Sequence, residues 1–177
     1  MPNFSGIWNL KEQVQAIAAG RWTGLPGPQI WSFGLNSSGQ LGDETVANKS
    51  SPVQVGLTDN WSEIAAGTSH SLALKETGTL WAWGDNANGR LGDGSVVLKS
   101  SPVQIGALTT WSKIDNGTQS IALKTDGTVW CWGLNANGQV GDNTTVSKSS
   151  PVQVGALTNW VSHSSGQQHT LALLGVV

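Results

Sequence analysis

The sequence predicts an all-β chain built from repeated units of four antiparallel strands, and three observations predict it. A cassette recurs at intervals of about 50 residues. It reads WSEIAAGTSHSLALKETGTLWAWGDNANGRLGDGS from Trp61 and WSKIDNGTQSIALKTDGTVWCWGLNANGQVGDNT from Trp111. A nearly invariant joint, SPVQVG or SPVQIG, follows at 51–56, 101–106 and 150–155. Inside each cassette, apolar and polar residues alternate with period two in segments of about five residues between Gly-rich turns, the pattern of half-buried strands. Self-similarity at such a period means that each unit is one supersecondary element needing its neighbours to cover its faces.

The first 28 residues stand apart. NLKEQVQAIAAG at 9–20 reads as a short helix. Asn9 caps it, Glu12 follows three residues later as in a capping box, and Gly20 ends it. Leu10, Val14 and Ile17 share one face, with Phe4 and Trp8 just before it. This apolar surface either docks to a larger body or packs under the chain's own repeats. VQAIAAG also echoes WSEIAAG, so the stretch reads alternatively as a worn first strand. Pro26 and Pro28 stiffen a linker into the first strand of the repeats.

The repeat region, 29–177, opens with a half-unit over 29–56. IWSFGLNSSGQLGDET supplies only the later part of the cassette. A whole unit over 61–106 comes next. Its strand A is expected at Trp61–Ala65, strand B at His70–Lys75 with Leu72 and Leu74 on one face, and strand C at Thr79–Trp83. In strand C, Leu80 and Ala82 alternate against Trp81 and Trp83. Strand D is expected at Pro102–Ile105, where a proline costs little on a peripheral strand. ETGT at 76–79 and TDGT at 125–128 place Gly where a B–C hairpin needs positive φ. DNANGRLGDG at 85–94 suits an irregular loop. A second whole unit occupies 111–155. A closing half-unit over 160–177, WVSHSSGQQHTLALL and its tail, carries only strands A and B. Leu174 stands where Lys75 and Lys124 end strand B, and no TDGT turn comes after it.

Two loose halves at opposite ends make about three units per chain. Arranged around an axis, four-stranded units form a β-propeller; stacked in line, they would form a solenoid. Three blades fall below the usual range of about four to eight, so a single chain is not expected to close on itself. Its strand edges would pair with whatever is near. The economical solution sets His169, Leu171 and Leu173 of one copy against Ile30, Trp31 and Phe33 of the next. A twofold, head-to-tail dimer then makes a six-bladed ring. A partial arc completed by another protein is the alternative.

The phrases IAAG, HSLAL, GTLWAWG, NANGRLGDG and SPVQVG recur in fixed order, and in this they resemble the regulator of chromosome condensation repeat family. The resemblance covers roughly residues 30–173 and implies a propeller, in a family whose members commonly have seven blades. FSGIWNLKEQVQAIAAG, followed at once by such blades, resembles the start of structural proteins of tailed, particularly marine, bacteriophages. That resemblance implies a virion component: a capsid decoration, neck or tail-associated protein docked to a larger virion protein through its leader.

The chemistry offers no catalytic set, metal site or cofactor. His70 and His169 occupy equivalent positions and Gln119 takes the third, which reads as structural, a buried imidazole bonded to backbone; His163 is isolated. No metal-ligand spacing occurs. Cys131, between Trp130 and Trp132, fills a small packing site and lacks a base. Asp43, Asp93 and Asp142 recur after Gly and cap their own turns. DNANGRLGDG lacks the ligand positions and closing Glu of an EF-hand. The tryptophans recur in step, which suits blade-to-blade packing with indole N–H groups reaching carbonyls. A charged fraction of only 11% and a net charge of −2 give no electrostatic case for nucleic acid or anionic membranes. No apolar run approaches a membrane span, and no secretory signal is evident. The expectation is a non-catalytic assembly protein, located in a virion or otherwise soluble in the cytoplasm. A glycan- or host-surface-binding module is the alternative, and an exchange-factor-like interaction propeller a further one.

Overall fold

The computed structural model describes residues 27–56 and 60–176. The helix expected at 9–20 and the docking residues Phe4, Trp8, Leu10, Val14 and Ile17 lie outside them. Among the described residues the elements are all strands, twelve in chain order: β1 Trp31–Gly34, β2 Lys49–Gln54, β3 Trp61–Ala66, β4 His70–Lys75, β5 Leu80–Gly84, β6 Lys99–Gln104, β7 Trp111–Asn116, β8 Gln119–Lys124, β9 Val129–Gly133, β10 Lys148–Gln153, β11 Trp160–Ser165 and β12 Thr170–Leu174.

They form two complete antiparallel blades, β3-β4-β5-β6 and β7-β8-β9-β10, flanked by the two-stranded sheets β1-β2 and β11-β12. The first and last sheets hold two strands each, and β1 and β12 do not pair within the chain. Strand limits differ by a residue or two, except in strand D. There the strand starts at Lys99 rather than Pro102, because the register slips between Ala82 and Gly84 and lets Lys99 pair with Gly84. A bulge on an edge strand accommodates the proline at the middle of the segment.

Each blade has two unlike faces. In the first complete blade, Leu72, Leu74, Leu80, Ala82, Leu91 and Ile105 point forward and meet Trp111, Ile114, Ala122 and Trp132 of the next. Ala73, Trp61, Trp81 and Trp83 point backward and meet Ile30 and Val55 of the opening half-blade. Ile121, Leu123, Val129, Cys131 and Val140 of the second blade point forward in turn, with Trp160 packed against them. Alternation along each strand, with period two, produces this forward–backward polarity.

The β-turns at 76–79 and 125–128 carry Gly78 at φ 74° and Gly127 at φ 75°, as their sequences require. The C–D loops are organised by an asparagine that sequence composition alone hides. Asn86 is fully buried. Its Nδ2 donates to Asp93 Oδ1, Ser95 O and Val97 O, and its Oδ1 accepts from the Leu91 N–H at 3.0 Å. Asn36 and Asn135 make the same set. Asp43, Asp93 and Asp142 do cap their own turns, accepting the N–H two residues on, and each also pairs with the lysine that opens strand D. The Lys148 ammonium at 2.9 Å, helped by the hydrogen bonds from Thr144 and Asn135, holds the Asp142 carboxyl down to about 2 against the opposing effect of burial.

Candidate functional site

Whole blades define what a buried residue looks like, and the half-blades depart from it. Strand B pairs with strand C in one register: Ser71 faces Trp83, Leu72 faces Ala82 and Leu74 faces Leu80, repeated as Ser120 with Trp132, Ile121 with Cys131 and Leu123 with Val129. In the whole blades Leu72, Ile121 and Trp132 are fully buried. At the ends of the chain the counterparts are open: Leu171 is 64% exposed, Leu173 61% and Phe33 65%, while Trp31, whose counterparts Trp81 and Trp130 are half-buried, is 54% exposed. Exposed apolar side chains at positions that the fold otherwise buries mark an interaction surface.

The polarity of the blades sorts these residues. Leu171 and Leu173 stand on the forward face of β12, where Leu72 and Leu74 would otherwise meet a following blade. Trp31 and Phe33 stand on the backward face of β1, where Trp81 and Trp83 would meet a preceding one. Ile64, 64% exposed on β3, belongs to the same open side, since its counterpart Ile114 is buried against the preceding blade. Of the joint residues expected from sequence, Ile30 is not part of the opening. Its side chain is already buried in the cluster with Val55, Trp61 and Trp83. His169 is exposed at the tip of the half-blade, whereas its counterpart His70 is fully buried. His70 Nε2 bonds the Ser120 hydroxyl of the next blade at 2.8 Å rather than backbone. Gln119, at the same position, does reach backbone, donating to Gly166 O and His169 O.

Each junction between blades is stitched at one carbonyl of the C–D loop. The Ser71 hydroxyl and the Trp83 indole N–H both donate to Gln40 O, at 2.8 and 2.9 Å. Ser120 and Trp132 do the same to Arg90 O, at 2.6 and 2.9 Å. At the last junction Thr170 reaches Gln139 O at 2.8 Å, where the Cys131 thiol of the same blade also donates at 3.8 Å, and no indole joins them. Trp81 and Trp130 instead donate to threonine hydroxyls of their own hairpins, and Lys124 lies 3.6 Å above the Trp130 ring. These aromatic groups are committed to holding blades together.

Among the described residues no group of three His, Cys, Asp or Glu side chains could hold a metal ion. Burial pushes the Cys131 thiol up to about 12, which leaves no thiolate at neutral pH. Among the described residues no helix is long and apolar enough to cross a membrane.

The family model for the Regulator of chromosome condensation (RCC1) repeat matches residues 29–74, 77–122 and 126–173. A second model of that repeat matches 61–90. Among solved structures, the chain is similar to Prp20p from Saccharomyces cerevisiae, a protein described with its binding to Gsp1p and histones. The TM-score is 0.74 at 22% identity, over 81% of this chain and 39% of that one. It is similar to yeast RCC1 (Prp20) bound by Kap60, with TM-score 0.74 and 23% identity over 81% of this chain and 37% of the other. It is also similar to human WBSCR16, with TM-score 0.73 and 23% identity over 86% and 41%. The chain thus spans about two fifths of the length of these structures, and identities this low speak to the fold alone. No curated protein matches it.

Proposed function

The chain belongs to the Regulator of chromosome condensation (RCC1) repeat family, and we propose that this member is a non-catalytic assembly module whose ring is completed by a second copy of itself. The observation that carries the reading is the matched pair of open faces. Leu171 and Leu173 lack a C strand beside them, and Trp31 and Phe33 lack a B strand. In the register of the whole blades, Leu171 pairs with Ser32 of the other copy, Ala172 with Trp31 and Thr170 with Phe33.

Magnitudes favour closure. Burying a large apolar side chain is worth about 1.5–3 kcal/mol, so four of them at one joint contribute about 8 kcal/mol. A two-chain ring has two such joints but only one association entropy to overcome, about 4–15 kcal/mol. Three blades per chain also favour two copies: two chains give six blades, and three would exceed the usual upper limit of about eight.

The interaction reading extends to a larger partner. Residues 1–28 would dock the ring to it, and their resemblance to the start of tailed-phage structural proteins implies a virion protein as that partner. Sugar binding by the aromatic residues is less favoured, because Trp83 and Trp132 are buried between blades and bond loop carbonyls. Nucleotide exchange by analogy with Prp20p rests on fold likeness, which is a weak warrant for function.

Light scattering on the purified chain tests the core of the proposal. The expected mass is that of a dimer, and Leu171→Asp or Leu173→Asp should return it to a monomer by burying an unpaired charge. A dimer that survives both changes would put the joint elsewhere. Deleting residues 1–24 should leave the ring intact and abolish attachment to the larger body.

A further inference from the structure

A vacant socket lies beside the last junction, and its two counterparts in the chain are filled. A Cβ added to Gly42 would meet Trp83 Nε1 at 2.7 Å, and one added to Gly92 would meet Trp132 Nε1 at 2.6 Å. The indole of each strand C therefore lies flat against the glycine of the preceding C–D loop. At Gly141, the third member, the same Cβ would meet only Val154 Cγ1, at 3.3 Å. The space is a cavity of about 310 Å³ lined by Gln139, Val140, Gly141, His169, Thr170 and Ala172. Its floor includes Gln139, whose Nε2 is buried without a partner and whose carbonyl receives Thr170 and the weak Cys131 thiol but not the indole N–H that Gln40 and Arg90 receive.

A second contact at the same junction is also half-made. The Glu44 N–H donates to Ser100 O at 2.9 Å and the Gly94 N–H to Ser149 O at 2.8 Å, tying each C–D loop to strand D of the following blade. A Cβ added to Gly39 would meet the Cα of Ser100 at 2.8 Å, and one added to Gly89 would collide with the Cα of Ser149. The third members, Asn143 and Gly138, have no strand D beside them: β10 is the last in the chain, and a Cβ on Gly138 would come near nothing closer than Thr144 O at 3.9 Å.

We propose that the socket over Gly141 receives the ring of Phe33 from a second copy, and that Asn143 donates its N–H to Ser50 O of that copy. Phe33 holds the position of Trp83 and Trp132, and Ser50 that of Ser100 and Ser149. Both are on the opening half-blade, and Phe33 is 65% exposed. The key and the lock are thus parts of one sequence, which identifies the occupant as another molecule of this chain. The inference rests on the self-association proposed above and adds to it a contact that strand pairing alone does not require. It also explains a difference. A phenyl ring fills the slot but has no N–H, so Gln139 O keeps only Thr170 and the weak Cys131 thiol, and the joint between molecules lacks the indole hydrogen bond of the joints within them.

The test is sedimentation equilibrium over a wide concentration range on three chains. The wild type should dimerise. Gly141→Asn places a side chain in the socket at a residue type that this chain already holds at positive φ, at Asn60 and Asn143. It should weaken the dimer at least tenfold while leaving the circular dichroism of the monomer unchanged. Phe33→Trp supplies the missing indole N–H toward Gln139 O and should tighten the dimer about fivefold, the worth of one net hydrogen bond. A Gly141→Asn chain that dimerises like the wild type overturns the socket and leaves the strand pairing standing. Should Gly141→Asn fail to fold, Phe33→Trp decides alone, an unchanged affinity counting against the socket. A wild type that stays monomeric at every concentration overturns self-association itself and assigns the open faces to another occupant.

Discussion

Nε2 of His70 lies 2.8 Å from the hydroxyl oxygen of Ser120 on the neighbouring blade. That hydroxyl gives its one proton to Arg90 O at 2.6 Å, so the imidazole must be the donor. Nδ1 is buried without a partner, which suits the neutral ring with its proton on Nε2. Burial, and next the nearby Arg90 guanidinium, push its pKa down to about 3 against a weaker pull from Asp85.

Acid should thus destabilise the junction. A histidine depressed in the folded state takes up its proton more readily when unfolded. The stability it contributes is full above the unfolded value of 6.5 and is lost progressively as pH falls toward about 3. At pH 5 the loss is about 2 kcal/mol, at 1.36 kcal/mol per unit. His70→Gln, which copies Gln119, should flatten this limb in denaturant titrations from pH 7 to 4. The limb should shrink rather than vanish, because burial also lowers the pKa of His163.

Asn86→Ala should cost about 3 kcal/mol in chemical denaturation. The change leaves the buried Leu91 N–H without its acceptor and frees the carbonyls of Ser95 and Val97. Asn135→Ala should cost a similar amount in the second blade.

Gly92→Ala and Gly106→Ala should differ sharply, although both residues have positive φ. At Gly92 the new methyl collides with the Trp132 indole, and conformational strain of about 1–2 kcal/mol adds to an overpacking cost of about 1–3 kcal/mol. At Gly106 nothing lies within 4 Å, so only the strain remains. Melting temperatures of the two variants check the contrast.

Cys131 should resist alkylation at pH 8 in the folded chain and react fully in denaturant. Its thiol is inaccessible, and burial raises its pKa to about 12.

The repeat made the four-strand unit and the order of the halves readable from the residues. Leu72 and Leu74 against Trp81 and Trp83 gave the alternation directly. Asp43, Asp93 and Asp142 were readable as caps because each precedes a Thr or Ser by two residues. Asn36, Asn86 and Asn135 were not, because a loop rich in Asn and Gly hides the single amide that is buried. The signal was present in their fixed spacing of seven residues ahead of the capping Asp. Which face of a strand points forward was also hidden. Period two separates the faces but does not say which neighbour each one meets. That gap placed Ile30 in the joint, although it packs within its own chain. The partner of His70 was hidden for the same reason, since it lies on another blade.

Because the forward and backward faces of a blade are unlike, copies can add only in one sense, as carriages couple front to rear. Rotation about the central axis never turns a molecule over. Both copies of residue 27, where the described chain begins, would therefore stand at the same level along that axis. Two leaders leaving in one sense would meet a single surface together, and each would hold the other near it. The grip of the pair would then exceed that of either tether alone by far more than twofold.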